Sequence, residues 1–421
     1  MPYAPSAAAG SRRTLAAAGA TLILATLALA PPAAADASGD QCTFPNEKYA
    51  GRPWSLQRVL LDELWSRSKG KGVRVAVIDT GVDVKNPQLT RAVDASAGAN
   101  FLPAEDDKGE KIDRGNSRGT TDTVGHGTRV AGIIAARPAK GTGFVGLAPE
   151  ATIIPVKQND AEGHGTAETL ARAIRHAIKA KADVINISQD TSNAVEPAPD
   201  LKQAVDAALA RQIVVVASAG NDGLGGNVKR TYPASYDGVL AVASSDRNNE
   251  RASFSQSGEF VGVAAPGVDM ISTVPKGGHC TDNGTSFSAP YVAGVAALIR
   301  ARHRDWTQRQ IVAQIEQTAE RSVAGHDRLV GWGVVDPVRA LTEDDQAIES
   351  PSPHEGLTKA EAPTPAKLQL GESPDERNAR LGTYVAVGAA VLVAALSGTA
   401  VAVRDARRRA RRVASRTGPI S

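Results

Sequence analysis

Four short apolar runs constrain this chain most: Val73–Ile78, Thr152–Val156, Val184–Ile187 and Ile213–Ala217, all rich in β-branched residues. Runs this short, with no polar alternation, fit strands covered on both faces. Sequence of helical period lies between them. Thr169, Leu170, Ile174 and Ile178 mark one helix face, and Val205 and Leu209 mark another. Strands alternating with helices imply an α/β fold, a mostly parallel sheet with helices on both faces. Such sheets hold their sites at the carboxyl ends of the strands. Asp79 directly follows the first run, and Asn221 follows the last after Ser218-Ala219-Gly220.

The chain has 421 residues, 42% of them hydrophobic, which is material for one large domain or two ordinary ones. A formal net charge of +3 and 4% aromatic residues give no footprint for nucleic acid. No internal repeat is evident.

Both ends address a membrane. Arg12 and Arg13 precede an apolar run from Leu15 to Leu29, and Ala33-Ala34-Ala35 follows in the form a signal peptidase accepts. Residues 1–35 therefore read as a secretory signal removed before Asp36; the competing reading, an uncleaved anchor, fits the small-residue exit less well. Near the other end, Tyr384 to Val403 carries no charge. At about 1.5 Å per residue it spans roughly 30 Å, the thickness of the hydrocarbon core. Arg404, Arg407, Arg408, Arg409, Arg411 and Arg412 follow at once. Arginines beside a span stay on the cytoplasmic side. The expectation is a single-pass protein of the cell membrane, with 384–403 as the span, 404–421 as a cytoplasmic tail and everything before the span outside. A buried core helix is the alternative, but no core-forming sequence follows the arginines.

Three pieces lie between signal and span. Residues 36–71 form a short extension with Pro45, Pro53 and Trp54. Residues 72–341 carry the α/β pattern. Residues 342–380, rich in Pro, Glu, Asp, Ser and Ala, are expected to be an extended linker. The polar, Gly-rich stretch 101–123 reads as a surface loop beside the site. The two cysteines, Cys42 and Cys280, allow one disulfide, which the secretory context favours; it would tie the extension to the segment ahead of Ser286. Neither a thiolate cluster nor an acidic run with Ca²⁺-loop spacing is present in the sequence, so no metal and no cofactor is expected.

Three motifs carry chemistry. In Val75-Ala76-Val77-Ile78-Asp79-Thr80-Gly81, a strand end followed by a Gly turn holds a carboxylate rigidly, as suits a group that orients a histidine. In Gly125-His126-Gly127-Thr128-Arg129-Val130-Ala131-Gly132, a histidine opens a helix of small and apolar residues that packs closely. In Gly284-Thr285-Ser286-Phe287-Ser288-Ala289-Pro290, a serine lies at the start of a long apolar helix, where the dipole and free N–H groups favour negative charge. Pro290 is expected within the first turn. Asn221, on a loop after a central strand, is placed to donate to an oxyanion. Each has a plainer reading alone: a strand-end Asp that caps or binds metal or nucleotide, a His that satisfies backbone groups, a Ser N-cap, a turn Asn. His164 and His176 take the plainer reading.

Together, the order Asp…His…Asn…Ser matches the subtilisin chain order. The strings VAVIDTGVD (75–83), GHGTRVAGIIAA (125–136) and GTSFSAPYVAGVAAL (284–298) closely resemble three signatures of the subtilase family, and the resemblance runs from about Gly72 to Leu341. It implies a subtilisin-like three-layer domain that hydrolyses protein or peptide substrates through an acyl-enzyme. Carried over motif by motif, Asp79, His126 and Ser286 form the triad. Asn221 and the Ser286 N–H form the oxyanion hole. Ser188, ending "VINIS", falls where the family binds the substrate strand, and Tyr232-Pro233-Ala234 looks like the segment beside its specificity pocket. A narrower resemblance is to the mycosins, membrane-anchored subtilases of type VII secretion. It rests on the stretch from Arg52 to Asp83, the Pro-rich linker, and the single span with its Arg-rich tail. It implies association with the type VII secretion membrane complex of an actinobacterial envelope.

Some features depart from the family. Arg129 stands where many subtilases carry a second histidine, and Gln189-Asp190-Thr191 replaces the usual continuation after Ser188, so substrate preference does not carry over. Residues 36–71 are too few for a folded inhibitory prodomain; they are expected to stay attached and wrap the domain. An alternative function is a scaffold for the secretion complex, with proteolysis secondary. A nucleophile-elbow esterase does not fit, because no G-x-S-x-G follows a strand.

Overall fold

The computed structural model describes residues 42–105, 109–160, 165–189, 196–226, 230–353 and 374–414, with side chains through 409. The expected signal at 1–35, Asp106, Asp107, His164, Asp190, Thr191, most of the expected linker and the last residues of the tail lie outside them. The chain divides into two compact units, Met1–Pro353 and His354–Ser421.

The first unit is built on a seven-stranded sheet. Its strands are β1 (Arg74–Asp79), β2 (Ala99–Asn100), β3 (Thr152–Lys157), β4 (Val184–Ile187), β5 (Val214–Ser218), β6 (Leu240–Ser245) and β7 (Val261–Pro266). The order is β2-β3-β1-β4-β5-β6-β7, and all the neighbours are parallel. The two faces explain the apolar runs. In β1, Val75 and Val77 belong to one core while Ala76 and Ile78 belong to the other, and β5 divides Val214 and Val216 from Val215 and Ala217 in the same way. A strand covered on both sides has no polar face to alternate.

Helices α4 (Ala167–Lys179) and α5 (Pro199–Leu209) cover one face. Helices α3 (His126–Ala135) and α6 (Thr285–Arg302) cover the other, joined there by α1 (Trp54–Gln57), α2 (Leu61–Arg67), α7 (Gln308–Thr318) and α8 (Pro337–Thr342). An antiparallel hairpin, β8 (Met270–Thr273) and β9 (His279–Asp282), leads into α6. Every residue of α6 from Thr285 to Arg300 is buried, so this helix is apolar all round rather than striped. Pro290 lies inside α6, beyond the first turn expected for it. It has no N–H to give the Ser286 carbonyl four residues earlier.

The extension lies against the domain. Leu56, Val59, Leu61 and Leu64 enter the first core. The indole N–H of Trp54 donates to the Val268 carbonyl at 3.0 Å, and that of Trp65 to the Leu147 carbonyl at 2.9 Å. A disulfide joins Cys42 to Cys280.

The C-terminal border differs from the expected one at 341. Residues 342–353 pack on the first unit instead of starting a linker. Asp344, 1% exposed, accepts from Arg302 Nε and His303 Nε2, both at 2.6 Å. Arg309 Nε donates to the Glu349 carbonyl, and the Ser352 N–H to Gln317 Oε1. The composition is polar, but its acidic and backbone groups meet cations and amides on α6 and α7. In the second unit, α9 (Pro374–Ala414) starts inside the stretch expected to be linker. Its segment Pro374–Arg409 is long and apolar enough to cross a membrane.

Candidate active site

Sheet register brings the site residues to one edge. Ile78 of β1 pairs with Ile187 of β4, which pairs with Ala217 of β5. Asp79, Ser188 and the loop bearing Asn221 therefore leave the sheet side by side. The N-termini of α3 and α6 arrive at the same edge, with His126 as the first residue of α3 and Ser286 as the second of α6. Gly125 caps α3 in the left-handed region at φ 83°, and a Cβ there would fall 2.3 Å from the Phe44 ring of the extension.

The Asp79 side chain is fully buried. Its Oδ1 accepts from the Thr80 N–H and from His126 Nδ1, both at 2.7 Å. A carboxylate only accepts, so Nδ1 carries the proton and Nε2 is left as the basic nitrogen. Burial works against an imidazolium here. The Asp79 charge and hydrogen bond outweigh it, Arg129 opposes them, Asp122 adds to them, and the His126 pKa ends above its ordinary value.

No motif in the sequence singles out Asp122, which lies in the stretch 101–123 expected to be a surface loop. Its carboxylate is buried beneath α3. Oδ1 accepts from Thr80 Oγ1 at 3.0 Å, Val124 N–H at 3.1 Å and Gly125 N–H at 2.8 Å. Oδ2 accepts from the Thr128 N–H at 2.9 Å and hydroxyl at 2.6 Å. Thr80 Oγ1 in turn accepts from the Gly127 N–H at 2.9 Å. One carboxylate thus ties the turn after β1 to the first turn of α3. Burial raises its pKa against the bonds from Thr128 and Gly125, and the nearby Asp79 charge adds to the rise. The available signal was its place just ahead of the histidine motif.

Asn221 Oδ1 accepts from the Thr285 N–H at 2.9 Å and hydroxyl at 3.0 Å. This fixes which way the carboxamide is turned, with Oδ1 on Thr285. A Cβ on Gly284 would lie 3.0 Å from Ser286 Oγ and 3.7 Å from Asn221 Nδ2, so both groups border the space that this glycine leaves open. Ser286 and His126 line a cleft of about 340 Å³ with Asn221, Ser188, Gln189 and Asn159. Among the described residues no hydrogen bond joins Ser286 to His126; the two share the cleft wall.

Tyr232, Pro233 and Ala234, expected beside a specificity pocket, are not among the lining of that cleft. They are buried. The Tyr232 ring packs on Tyr236, with centroids 4.9 Å apart, in the second core. The neighbouring Thr231 hydroxyl donates to the Ala219 carbonyl at 2.8 Å. The segment braces the loop that carries Asn221. His176 takes a plain role, with Nε2 on the Ala97 carbonyl at 2.8 Å.

The fold has counterparts among known proteins. The sequence model of the subtilase family matches residues 70–333. The chain belongs to the subtilase family. It is a serine endopeptidase of subtilisin-like α/β fold. This subtilase is 38% identical over 284 residues to M-protease of Shouchella clausii, covering 67% of this chain and 68% of the relative. It is 36% identical over 399 residues to mycosin-4 of Mycobacterium tuberculosis, covering 84% of this chain and 82% of the relative. Among solved structures, MycP3 protease from the type VII (ESX-3) secretion system superposes with a TM-score of 0.61 at 34% identity, covering 71% of this chain and 90% of that one.

Proposed function

We propose that this subtilase is a membrane-anchored, extracytoplasmic endopeptidase in which Ser286 is the nucleophile, His126 the general base and Asp79 the group that orients the base. One observation carries the reading: Asp79 Oδ1 holds His126 Nδ1 at 2.7 Å while Ser286 and Asn221 face the same cleft as the imidazole. In the first step Ser286 Oγ attacks the scissile carbonyl and passes its proton to His126 Nε2. Asp79 stabilises the imidazolium that forms. Asn221 Nδ2 and the Ser286 N–H, at the N-terminus of α6, donate to the developing oxyanion. His126 then gives its proton to the leaving amine, and water releases the acyl group by the same relay.

Anchoring rests on the uncharged stretch Tyr384–Val403 within α9 and the arginines after it. By positive-inside bias, the tail from Arg404 is cytoplasmic and the protease domain outside. Work beside a type VII secretion complex rests on likeness to mycosin-4 and to MycP3.

A Ser286→Ala variant of the full chain, assayed for peptide cleavage and for secretion, tests the reading. Loss of cleavage with intact folding is expected. Persistent cleavage would refute the nucleophile. Lost cleavage with undiminished secretion would make the secretion role one of scaffold rather than protease.

A further inference from the structure

Arg129 follows His126 by three residues on α3, and none of the steps above uses it. Its guanidinium reaches three places at once. Nε donates to the Gly125 carbonyl, just before His126, at 3.3 Å. One terminal nitrogen donates to Asp282 Oδ2 at 2.5 Å. The guanidinium carbon stands over the Phe287 ring, 5.7 Å from its centroid. Phe287 directly follows Ser286, and its other neighbour is the His126 imidazole, with ring centroids 5.3 Å apart.

Asp282 completes the link. It ends β9, four residues before Ser286, and its Oδ1 accepts from the Asn283 N–H at 2.8 Å. The Arg129 side chain is 11% exposed and that of Asp282 39% exposed, so the pair is shielded on the helix side and wet on the other. The Arg129 carbonyl also accepts from Ser272 Oγ of β8 at 2.6 Å. The hairpin that leads into the serine helix is thus fastened to the helix that begins with the histidine.

We propose that the Arg129–Asp282 ion pair is a positioning strut: it sets the spacing between the base on α3 and the nucleophile on α6, and balances the charge felt by His126. This rests on the reading of His126 and Ser286 given above. Three charged groups act on His126 from the elements around it: Asp79 at the end of β1, Asp122 in the loop before α3, and Arg129 on α3 itself. Helix α6 faces it with the uncharged Phe287 ring. The two carboxylates favour the imidazolium and Arg129 opposes it. Asp282 pairs with Arg129 and partly neutralises it. A lysine at 129 keeps the charge but cannot present a planar fork to Gly125 and Asp282 together.

The test uses the full chain and an alkyl fluorophosphonate, whose phosphorus bonds to Ser286 Oγ as fluoride leaves and His126 takes the proton. The rate of labelling against pH reads the base without a natural substrate. Arg129→Gln is expected to move the acid limb upward by roughly 0.5–1 pH unit, and Asp282→Asn to move it downward. Arg129→Lys is expected to hold the limb and slow the plateau several-fold. Thermal midpoints are followed in parallel; Asp282→Asn, at a half-exposed site, stands as the decisive variant if Arg129→Gln unfolds. Limbs that stay in place, or that move the same way in both variants, overturn the strut. Failure of the unmodified chain to label at any pH would instead refute the nucleophile. The His126 titration, followed by NMR in the same variants, would then still show the opposed shifts or their absence.

Discussion

The backbone N–H of Tyr49 donates to His279 Nδ1 at 3.1 Å, so a histidine on the hairpin ahead of α6 holds the N-terminal extension. The other nitrogen, Nε2, meets Gln88 Oε1 at 2.8 Å. Only a neutral imidazole accepts at Nδ1 while donating at Nε2. Burial first, and then the Lys48 charge, push the His279 pKa down to about 4 from its ordinary 6.5. In the unfolded chain this group takes a proton near pH 6.5, while in the folded chain it refuses one until about pH 4. The unfolded state therefore binds more protons in that window, and stability falls as pH drops through it. The expected loss is up to about 3 kcal/mol. Denaturant midpoints from pH 7 down to pH 4 check it, and Asp, Glu and other His contributions cancel in comparison with His279→Gln, whose pH slope is expected to be flatter.

In the proposed mechanism, activity depends on the opposite shift at His126. The base works when neutral, so its raised pKa places the acid limb of kcat/KM above pH 6.5. Asp79→Asn removes the charge and replaces a group that only accepts with an amide that can also donate, so Nδ1–H is no longer enforced. The limb is expected to fall to lower pH and kcat to drop about 10⁴-fold. A pH–rate profile of the two proteins measures both effects; an unmoved limb would mean that Asp79 does not govern His126.

Asn221→Ala is expected to lower kcat on the order of 10²–10³-fold with little change in KM, the scale known for losing such a donor in a subtilisin. The same change frees the Thr285 N–H and hydroxyl, so a stability loss of about 1 kcal/mol should accompany it. Steady-state kinetics and a thermal melt separate the two. A KM effect alone would place Asn221 in ground-state binding.

Asp122→Ala leaves five donors without their acceptor beneath α3. The expected cost is about 3 kcal/mol or more, with activity falling alongside. Urea unfolding followed by fluorescence gives the number. A change under about 0.5 kcal/mol, the range of an ordinary surface substitution, would show that water replaces this carboxylate at no cost.

Much of the fold was legible where residue type alone declares it. β1, β3, β4 and β5 are rich in Val and Ile, and the sequence reading located each to within a residue or two at its ends. β6 and β7 were not among the expected strands. Their sequences, LAVASS and VGVAAP, are mostly small residues of weak strand preference; β6 pairs on the parallel edge that β5 offers, and β7 on that of β6. The acidic stretch after Leu341 misled for a related reason. Composition announces solvent, but Asp344 meets Arg302 and His303, and that meeting is written on α6, far back along the chain.

The sequence by itself determined the chemistry available: an Asp at a strand end, a His and a Ser at helix starts, and motifs that identify the family. Those signals are local, because strand and helix periods and short motifs span only a few residues. The tertiary structure decided what each group touches. Parallel register aligned the ends of β1, β4 and β5, buried Asp122 beneath the histidine helix, turned Tyr232–Ala234 inward, and set Arg129 against Asp282 across 153 positions of chain. Contacts at such separation depend on the packing of whole elements, and no window of sequence contains both partners.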